Sequence, residues 1–220
     1  MSETSASRQA ILSRIRGPHA PADARSGGQE YDRIPRAYLR SGSLAPEERL
    51  QIFEERLIEY GARVFQVNET ALSAVIGAAI RERGASRIVI PSGTPSDWLP
   101  ASVSFTEGDT LSNRELDSFD GVVTGCTVAI ALTGTIVLQN AAAQGPRKLS
   151  LIPDYHLCVV FEEQIVETVS EAFDRLASTS TLPTTFISGP SATADIEMTR
   201  IKGVHGPRFL DVLIVAKPEQ

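Results

Sequence analysis

The sequence predicts an α/β protein with a mixed, mostly parallel sheet and flanking helices. Two observations carry this prediction. From Pro46 to Ile90, amphipathic helices alternate with short apolar strands, which is typical of a parallel sheet covered by helices. Between residues 121 and 161, apolar runs follow one another without intervening helices, which indicates an antiparallel part of the sheet.

The N-terminal part is predicted to be a helix followed by an arm. Residues 5–16 carry an apolar stripe at helical spacing, which stops before Gly17-Pro18. Residues 17–45 contain Gly, Pro, Ser and charged side chains with little periodicity, so we expect an extended arm or a mobile loop. The predicted division is therefore 1–45 for the helix and arm and 46–220 for the main domain.

The main domain is predicted to begin with a helix, a strand, a helix and a strand. In order, these are a helix from Pro46 to the cap at Gly61, a strand at 64–67, a helix from Leu72 to the cap at Gly84 and a strand at 87–90.

The remainder is predicted to be mainly strands. The predicted strands are 121–123, 128–131, 134–138, 149–153, 157–161, 185–187 and 210–215. Two helices are predicted, at 162–177 and 195–198.

Composition excludes several classes of partner. The 220 residues carry 21 basic and 27 acidic side chains, a net charge of −6. This sign argues against nucleic acid, which needs clustered cations, and against docking on an anionic membrane. No apolar run is long enough for a membrane span, and the polar start is unlike a secretory signal. We therefore expect a cytoplasmic protein.

Cys126 and Cys158 are too few and too far apart to hold an iron–sulfur cluster or a zinc ion alone. Cys158 lies in an apolar run, so we interpret it as a buried small side chain. Cys126 follows a glycine and is a slightly better candidate for an accessible thiol, but a structural role is the favoured interpretation because no neighbouring base identifies it as a nucleophile. We predict no metal site and no cofactor held by this chain.

The first candidate site is the polar segment from residue 188 to 197, which follows an apolar strand. Ligands of open α/β sheets bind beyond the carboxyl ends of strands, and a helix start offers free N–H groups to an anion. The candidate ligand-binding residues are Ser188, Gly189, Ser191 and Thr193, and the candidate catalytic acids are Asp195 and Glu197. In the alternative interpretation, Thr193 caps a helix, and the two carboxylates stabilise that helix by interacting with the dipole at its N-terminus.

The second candidate is the turn that contains His205 and Arg208. His205 can act as an acid or base near neutral pH, and Arg208 can bind a carboxylate or phosphate through two hydrogen bonds. In the alternative interpretation, Arg208 forms an ion pair with Asp195 or Glu197.

Two further segments carry polar residues. Asp154, Tyr155 and His156 form a cluster for which structural hydrogen bonding is the favoured interpretation. Two glycine-threonine segments allow close approach to a ligand or tight turns. Their candidate ligand-binding residues are Thr124, Gly125, Gly134 and Thr135.

Five segments in order resemble the lactate utilization protein C family of LUD-domain proteins. These segments are 7–16, 121–135, Leu151 to His156, 188–197 and Val204 to Arg208. The resemblance implies a fold related to ribose-phosphate isomerase and CoA transferases. It also implies a role in the oxidation of L-lactate to pyruvate beside partners that carry iron–sulfur clusters. The family commonly has Glu where this chain has Leu132, so an active site built on that Glu is in doubt here.

Three functions stay open from the sequence. The first is an accessory component of L-lactate utilization that acts with iron–sulfur partner proteins and binds a small molecule. The second is a self-sufficient enzyme of isomerase or acyl- or CoA-transfer type, with Asp195 or Glu197 as base and Arg208 as anion clamp. The third is a regulatory ligand-binding module. The sequence does not determine the ligand or the oligomeric state.

Overall fold

The computed structural model describes residues 3–16, 33–35, 38–193, 201–202 and 205–216. The chain divides into two compact units, 1–38 and 39–220. In the first unit, helix α1 runs from Glu3 to Arg16, which confirms the predicted N-terminal helix. Most of the predicted arm lies outside the described residues, and the division into 1–45 and 46–220 stays a prediction.

The second unit contains four further described α-helices and all the described strands. Its helices are α2 (Pro46–Glu59), α3 (Leu72–Glu82), α4 (Asn113–Leu116) and α5 (Val169–Leu176). Its strands are β1 (Arg63–Val67), β2 (Arg87–Ile90), β3 (Ser104–Glu107), β4 (Gly121–Thr124), β5 (Val128–Ile130), β6 (Thr135–Gln139), β7 (Tyr155–Phe161), β8 (Ile165–Val166), β9 (Thr184–Ile187), β10 (Ala192–Thr193), β11 (Ile201–Lys202) and β12 (Phe209–Val215). None of the described helices is long and apolar enough to cross a membrane.

The main sheet has six strands in the order β1-β12-β7-β4-β2-β3, and every neighbouring pair is parallel. Strands β7 and β12 are neighbouring interior strands and are buried along nearly their whole length, which explains why their sequences are continuous apolar runs. This sheet confirms the predicted parallel α/β core.

A smaller sheet of four strands has the order β8-β5-β6-β9. Strands β5, β6 and β9 pair in antiparallel fashion, whereas β5 and β8 are parallel. This sheet confirms the predicted antiparallel part of the fold. Its edge strand β9 leads into the first candidate segment.

The two sheets and the helices form layers around buried apolar side chains. One core cluster joins α2 and the smaller sheet to one face of the main sheet, with Phe53 and Leu57 fully buried. A second cluster lies on the opposite face, where Ile76 and Ile80 of α3 are fully buried. Helix α5 covers the far side of the smaller sheet through Ala172 and Leu176.

Two predicted elements are wrong. Residues 149–153 form turns rather than a strand, because the N–H groups of Leu149 and Leu151 donate to carbonyls three residues earlier. The predicted helix 162–177 begins only at Val169, where Thr168 caps α5. The apolar residues just before it instead form strand β8. The predicted helix at 195–198 lies outside the described residues.

Candidate functional site

Four of the predicted site residues line one cavity of about 280 Å³. Ser188, Gly189 and Ser191 follow strand β9, and His205 comes from the turn before β12. His156 of β7 also lines this space, so we call it the histidine cavity. It is slightly smaller than the range of about 300–1,000 Å³ typical of small-molecule sites, which suits a small metabolite.

Two hydrogen bonds join the first two candidate segments. The N–H of Ser191 donates to the Pro207 carbonyl at 2.8 Å, and the N–H of His205 donates to Ser191 Oγ at 3.3 Å. Gly189 has φ +89°, and an added Cβ would lie 2.5 Å from Cβ of Tyr60, so only glycine fits this turn without strain. These contacts bring the two chain segments together in one wall of the cavity.

The Thr-Gly-Thr segment reaches the cavity through a series of hydroxyl groups. Thr135 Oγ1 lies 2.8 Å from Thr133 Oγ1 and 2.7 Å from Ser188 Oγ. Gly134 itself makes the preceding turn, with φ +56°, against Arg56 of α2. Thr135 thus supports a cavity residue without lining the cavity.

The buried Thr124 also acts through a neighbour. Its Oγ1 lies 2.8 Å from Nε2 of His156 and donates to Sγ of Cys158 at 3.7 Å. Thr124, His156 and Cys158 are all buried, His156 with 1% of its surface exposed. The hydrogen bond at Nε2 is structural, which is the interpretation of His156 that the sequence favoured. The same ring also lines the cavity.

Arg147 and Ser150 line the cavity and were not among the predicted residues. Nη1 of Arg147 donates to Ser150 Oγ at 3.2 Å, and that hydroxyl in turn donates to the Arg147 carbonyl at 3.4 Å. Among the described residues Arg147 has no carboxylate partner. Burial lowers the pKa of this guanidinium, which nevertheless stays charged at neutral pH. The only sequence signal was a basic pair, Arg147-Lys148, after Gly-Pro.

Other predicted residues lie elsewhere. Arg208 forms an ion pair with Asp154 at 3.2 Å, beside a separate polar cavity of about 430 Å³, so its described partner is neither Asp195 nor Glu197. Gly125 packs against Trp98. Thr193 belongs to strand β10, and Asp195 and Glu197 lie outside the described residues.

The cavity differs in position from the site expected for an open parallel sheet. Its first segment follows the carboxyl end of β9, as predicted, but β9 is an edge strand of the smaller sheet. Two cavity residues, His156 and Leu210, are each the second residue of their strands in the main sheet. The cavity therefore lies beside the amino-terminal ends of β7 and β12.

A buried carboxylate near the same end of the main sheet was missed by the sequence analysis. Asp211 is fully buried and accepts hydrogen bonds from Arg63, Arg83 and the hydroxyl of Tyr155. Burial opposes ionisation of Asp211, but the hydrogen bonds from the two arginines and the tyrosine outweigh it and lower the pKa of the carboxyl. The partners are distant in sequence, so no spacing reveals them.

In the described part of the chain, no group of three or more His, Cys, Asp or Glu side chains is placed so that it could hold a metal ion. Both cysteines are buried, so the structural interpretation favoured from sequence is confirmed for Cys126 as well as for Cys158. A hydrogen bond with the Cys158 thiol, together with burial, raises the pKa of Cys126. Two thiols do not fit an iron–sulfur cluster, which takes four cysteine ligands.

Leu132, the departure from the family pattern, lies in the turn between β5 and β6 and is 44% exposed. It does not line the histidine cavity. Replacement of the family Glu by Leu132 therefore leaves the described lining of this cavity unchanged.

Comparisons with known proteins agree with the layered fold. Residues 50–215 match the family model described as LUD domain. A crystal structure of a DUF162 family protein from Deinococcus radiodurans superposes with a TM-score of 0.69 at 40% identity, covering 79% of this chain and 99% of that chain. The fold and the matched region thus define a LUD-domain protein.

Relatives of similar length identify the family within the class of LUD-domain proteins. Lactate utilization protein C of Deinococcus radiodurans is 46% identical over 191 residues, which cover 86% of this chain and 89% of that protein. The protein of the same name from Bacillus subtilis is 24% identical over 209 residues, with coverage of 84% and 86%. The chain belongs to the lactate utilization protein C family.

Proposed function

We propose that this protein is a component of lactate utilization, in which it assists the oxidation of L-lactate to pyruvate by binding a small anionic metabolite. Support for the pathway comes from relatives named Lactate utilization protein C, one of them 46% identical along nearly its whole length. The observation that carries the binding role is Arg147, a guanidinium that lines the histidine cavity without a carboxylate partner among the described residues.

The proposed partners are proteins that carry iron–sulfur clusters. Oxidation of lactate to pyruvate releases electrons, and this chain has only two cysteines, both buried. We therefore assign the electron-accepting clusters to partner proteins and the binding of the small molecule to this chain. In this proposal the protein acts in the cytoplasm as an accessory subunit.

The test is deletion of the gene in the source organism, followed by growth on L-lactate and on glucose. We expect loss of growth on L-lactate alone, restored by the wild-type gene and by Arg114→Gln, an exposed control on α4. Arg147→Gln should fail to restore growth, because the anion would lose its counter-charge. Undiminished growth of the deletion strain, with no second lactate system present, would refute the proposal.

A pull-down from lactate-grown cells tests the partner assignment separately. We expect iron–sulfur proteins to co-purify with the tagged full-length chain and to be identified by mass spectrometry. Their absence from such a pull-down, beside a clear growth defect, would favour the regulatory ligand-binding module.

A self-sufficient enzyme of isomerase or acyl-transfer type is the second candidate function, favoured by two histidines at one cavity. It predicts binding of sugar phosphates or CoA esters. A ligand present at 100-fold above its Kd should stabilise the protein by about 2.7 kcal/mol, which a thermal-shift screen detects. No shift with either class would remove this candidate.

A further inference from the structure

Strand β9 (Thr184–Ile187) forms one edge of the smaller sheet, and its only neighbour among the described strands is β6. In an edge strand, alternate residues direct their backbone N–H and C=O groups away from the neighbouring strand. Outside the pairing with β6, no described residue forms a hydrogen bond with the backbone of these four residues. The outer edge of β9 is therefore open to a further strand.

Strand β9 also lacks the features that usually keep an edge strand from pairing with another chain. Such features are charged side chains, proline and short length. The other edge strands of the two sheets have them, since β1 contains Arg63, β3 contains Glu107 and β8 has only two residues. Strand β9 contains no charge and no proline, and no charged residue lies between Arg175 and Asp195. This edge is therefore suited to pairing.

Exposed apolar side chains lie next to this edge. Phe186 of β9 is 47% exposed and Phe173 of α5 is 56% exposed, and the centres of their rings lie 5.9 Å apart. Val169 lies one helical turn before Phe173 and is also exposed, so the apolar side chains continue along α5. We call the outer edge of β9 together with Val169, Phe173 and Phe186 the β9 surface. Contiguous exposed apolar side chains mark sites of association.

The chemistry of the β9 surface favours a second copy of this chain as its partner. In a two-fold symmetric dimer the same surface meets itself, so any charge on it would approach a like charge. The β9 surface carries no charged side chain, and the net charge of −6 is carried elsewhere in the chain. Two identical antiparallel edge strands can also satisfy each other's outward N–H and C=O groups. A partner recognised through charge would instead require charged residues here.

We infer that the protein forms a two-fold symmetric homodimer in which β9 of one copy pairs in antiparallel fashion with β9 of the other. The pairing joins the two four-stranded sheets into one continuous sheet and buries Phe173 and Phe186 against the second copy. Phe186 also lines the histidine cavity, and β9 leads directly to the cavity residues Ser188 and Gly189. The second copy therefore lies beside this cavity.

Sedimentation velocity of the full-length protein over a range of concentrations tests the dimer. We expect the mass of two chains at about 50 μM, because this concentration lies above the micromolar Kd of the weaker specific interfaces. Dilution should convert the dimer into single chains. A protein that remains a single chain at the highest of these concentrations would overturn the inference.

Matched lysine variants test whether the β9 surface forms the interface. Phe173→Lys should weaken the dimer at least about tenfold, because it removes an aromatic contact and places like charges at the interface. Ile58→Lys makes a similar change at an exposed position on α2 and should leave the dimer intact, and Phe173→Leu should largely retain it. Circular dichroism checks that each variant is folded. An unchanged dimer in Phe173→Lys, or equal weakening by Ile58→Lys, would contradict the inference.

Hydrogen–deuterium exchange of the unmutated protein locates the interface without any variant. The backbone N–H groups of β9 should exchange more slowly at high protein concentration than after dilution, whereas exchange in β1 should not depend on concentration. A dimer in which β9 exchange is independent of concentration would place the interface elsewhere and overturn the inference. Slow exchange of β9 in a protein that sediments as a single chain would show that the same chain covers this edge, which would also overturn it.

Discussion

Thr124 Oγ1 and His156 Nε2 lie 2.8 Å apart inside the protein, although the residues are 32 positions apart in sequence. They come together because β4 and β7 are parallel neighbours in the main sheet, with Val122 opposite His156 and Thr124 opposite Cys158. This bond connects the buried sheet to the ring that lines the histidine cavity.

The first prediction concerns the stability that this bond supplies. Thr124→Val should lower the free energy of unfolding by about 1–3 kcal/mol, because Nε2 would remain buried without a partner. Thr124→Ser keeps the hydroxyl and should cost only about 1 kcal/mol for the lost methyl group. Urea unfolding at neutral pH measures both, and equal losses in the two variants would contradict this explanation.

The second prediction concerns the buried Asp211. Asp211→Asn should lower the free energy of unfolding by about 3 kcal/mol at pH 6, because Arg63 and Arg83 lose a buried counter-charge. Glu82→Gln is the control, since the ion pair of Glu82 with Arg63 is exposed and should contribute less than about 1 kcal/mol.

The same carboxylate predicts a pH dependence. Because the pKa of Asp211 is lowered in the folded protein, its stabilisation is fully present above the unfolded value of about 4 and is lost as the pH falls towards the folded value. The stability difference between wild type and Asp211→Asn should therefore shrink below about pH 4. A difference that stays constant from pH 6 to pH 3 would show that ionisation of Asp211 is not its source.

The third prediction compares two glycines with left-handed backbone. Gly84→Ala, at φ +67° with no atom near the added methyl, should cost only the conformational strain of about 1–2 kcal/mol. Gly189→Ala, at φ +89°, adds a contact with Tyr60 and should cost measurably more while weakening ligand binding at the cavity. Thermal unfolding measures the loss of stability in each variant. Similar losses would mean that the contact with Tyr60 is relieved without cost.

The fourth prediction concerns Leu132. Leu132→Glu restores the residue common in the family at an exposed turn outside the cavity lining, so stability should change by no more than about 0.5 kcal/mol. Affinity for L-lactate should stay within about twofold, and Leu132→Gln should behave in the same way. A large gain in affinity with Glu but not with Gln would place a functional carboxylate at this turn.

The sequence predicted most of the fold because its buried strands are continuous apolar runs and its helices carry regular stripes. It failed where local and tertiary contacts compete. Ile165 and Val166 match a helical stripe, yet they form β8 because β5 offers them a parallel neighbour. Strand β3 was missed because its residues are largely exposed, so they carry little apolar pattern.

The sequence predicted only part of the candidate site, again because some of its residues depend on contacts between distant segments. Ser188, Ser191 and His205 follow strands or turns with a visible polar signature, and the structure brings them to one cavity. Arg147 lacks such a pattern, and the orientation of His156 depends on Thr124 from another strand. Contacts between distant strands depend on sheet order, which one sequence does not display.

A crystal structure of the protein soaked with L-lactate tests the assignment of the histidine cavity most directly. We predict electron density for the anion in this cavity, with its carboxylate on the Arg147 guanidinium. An empty histidine cavity beside an acid bound at Arg208, or binding that leaves Arg147 uncontacted, would contradict it.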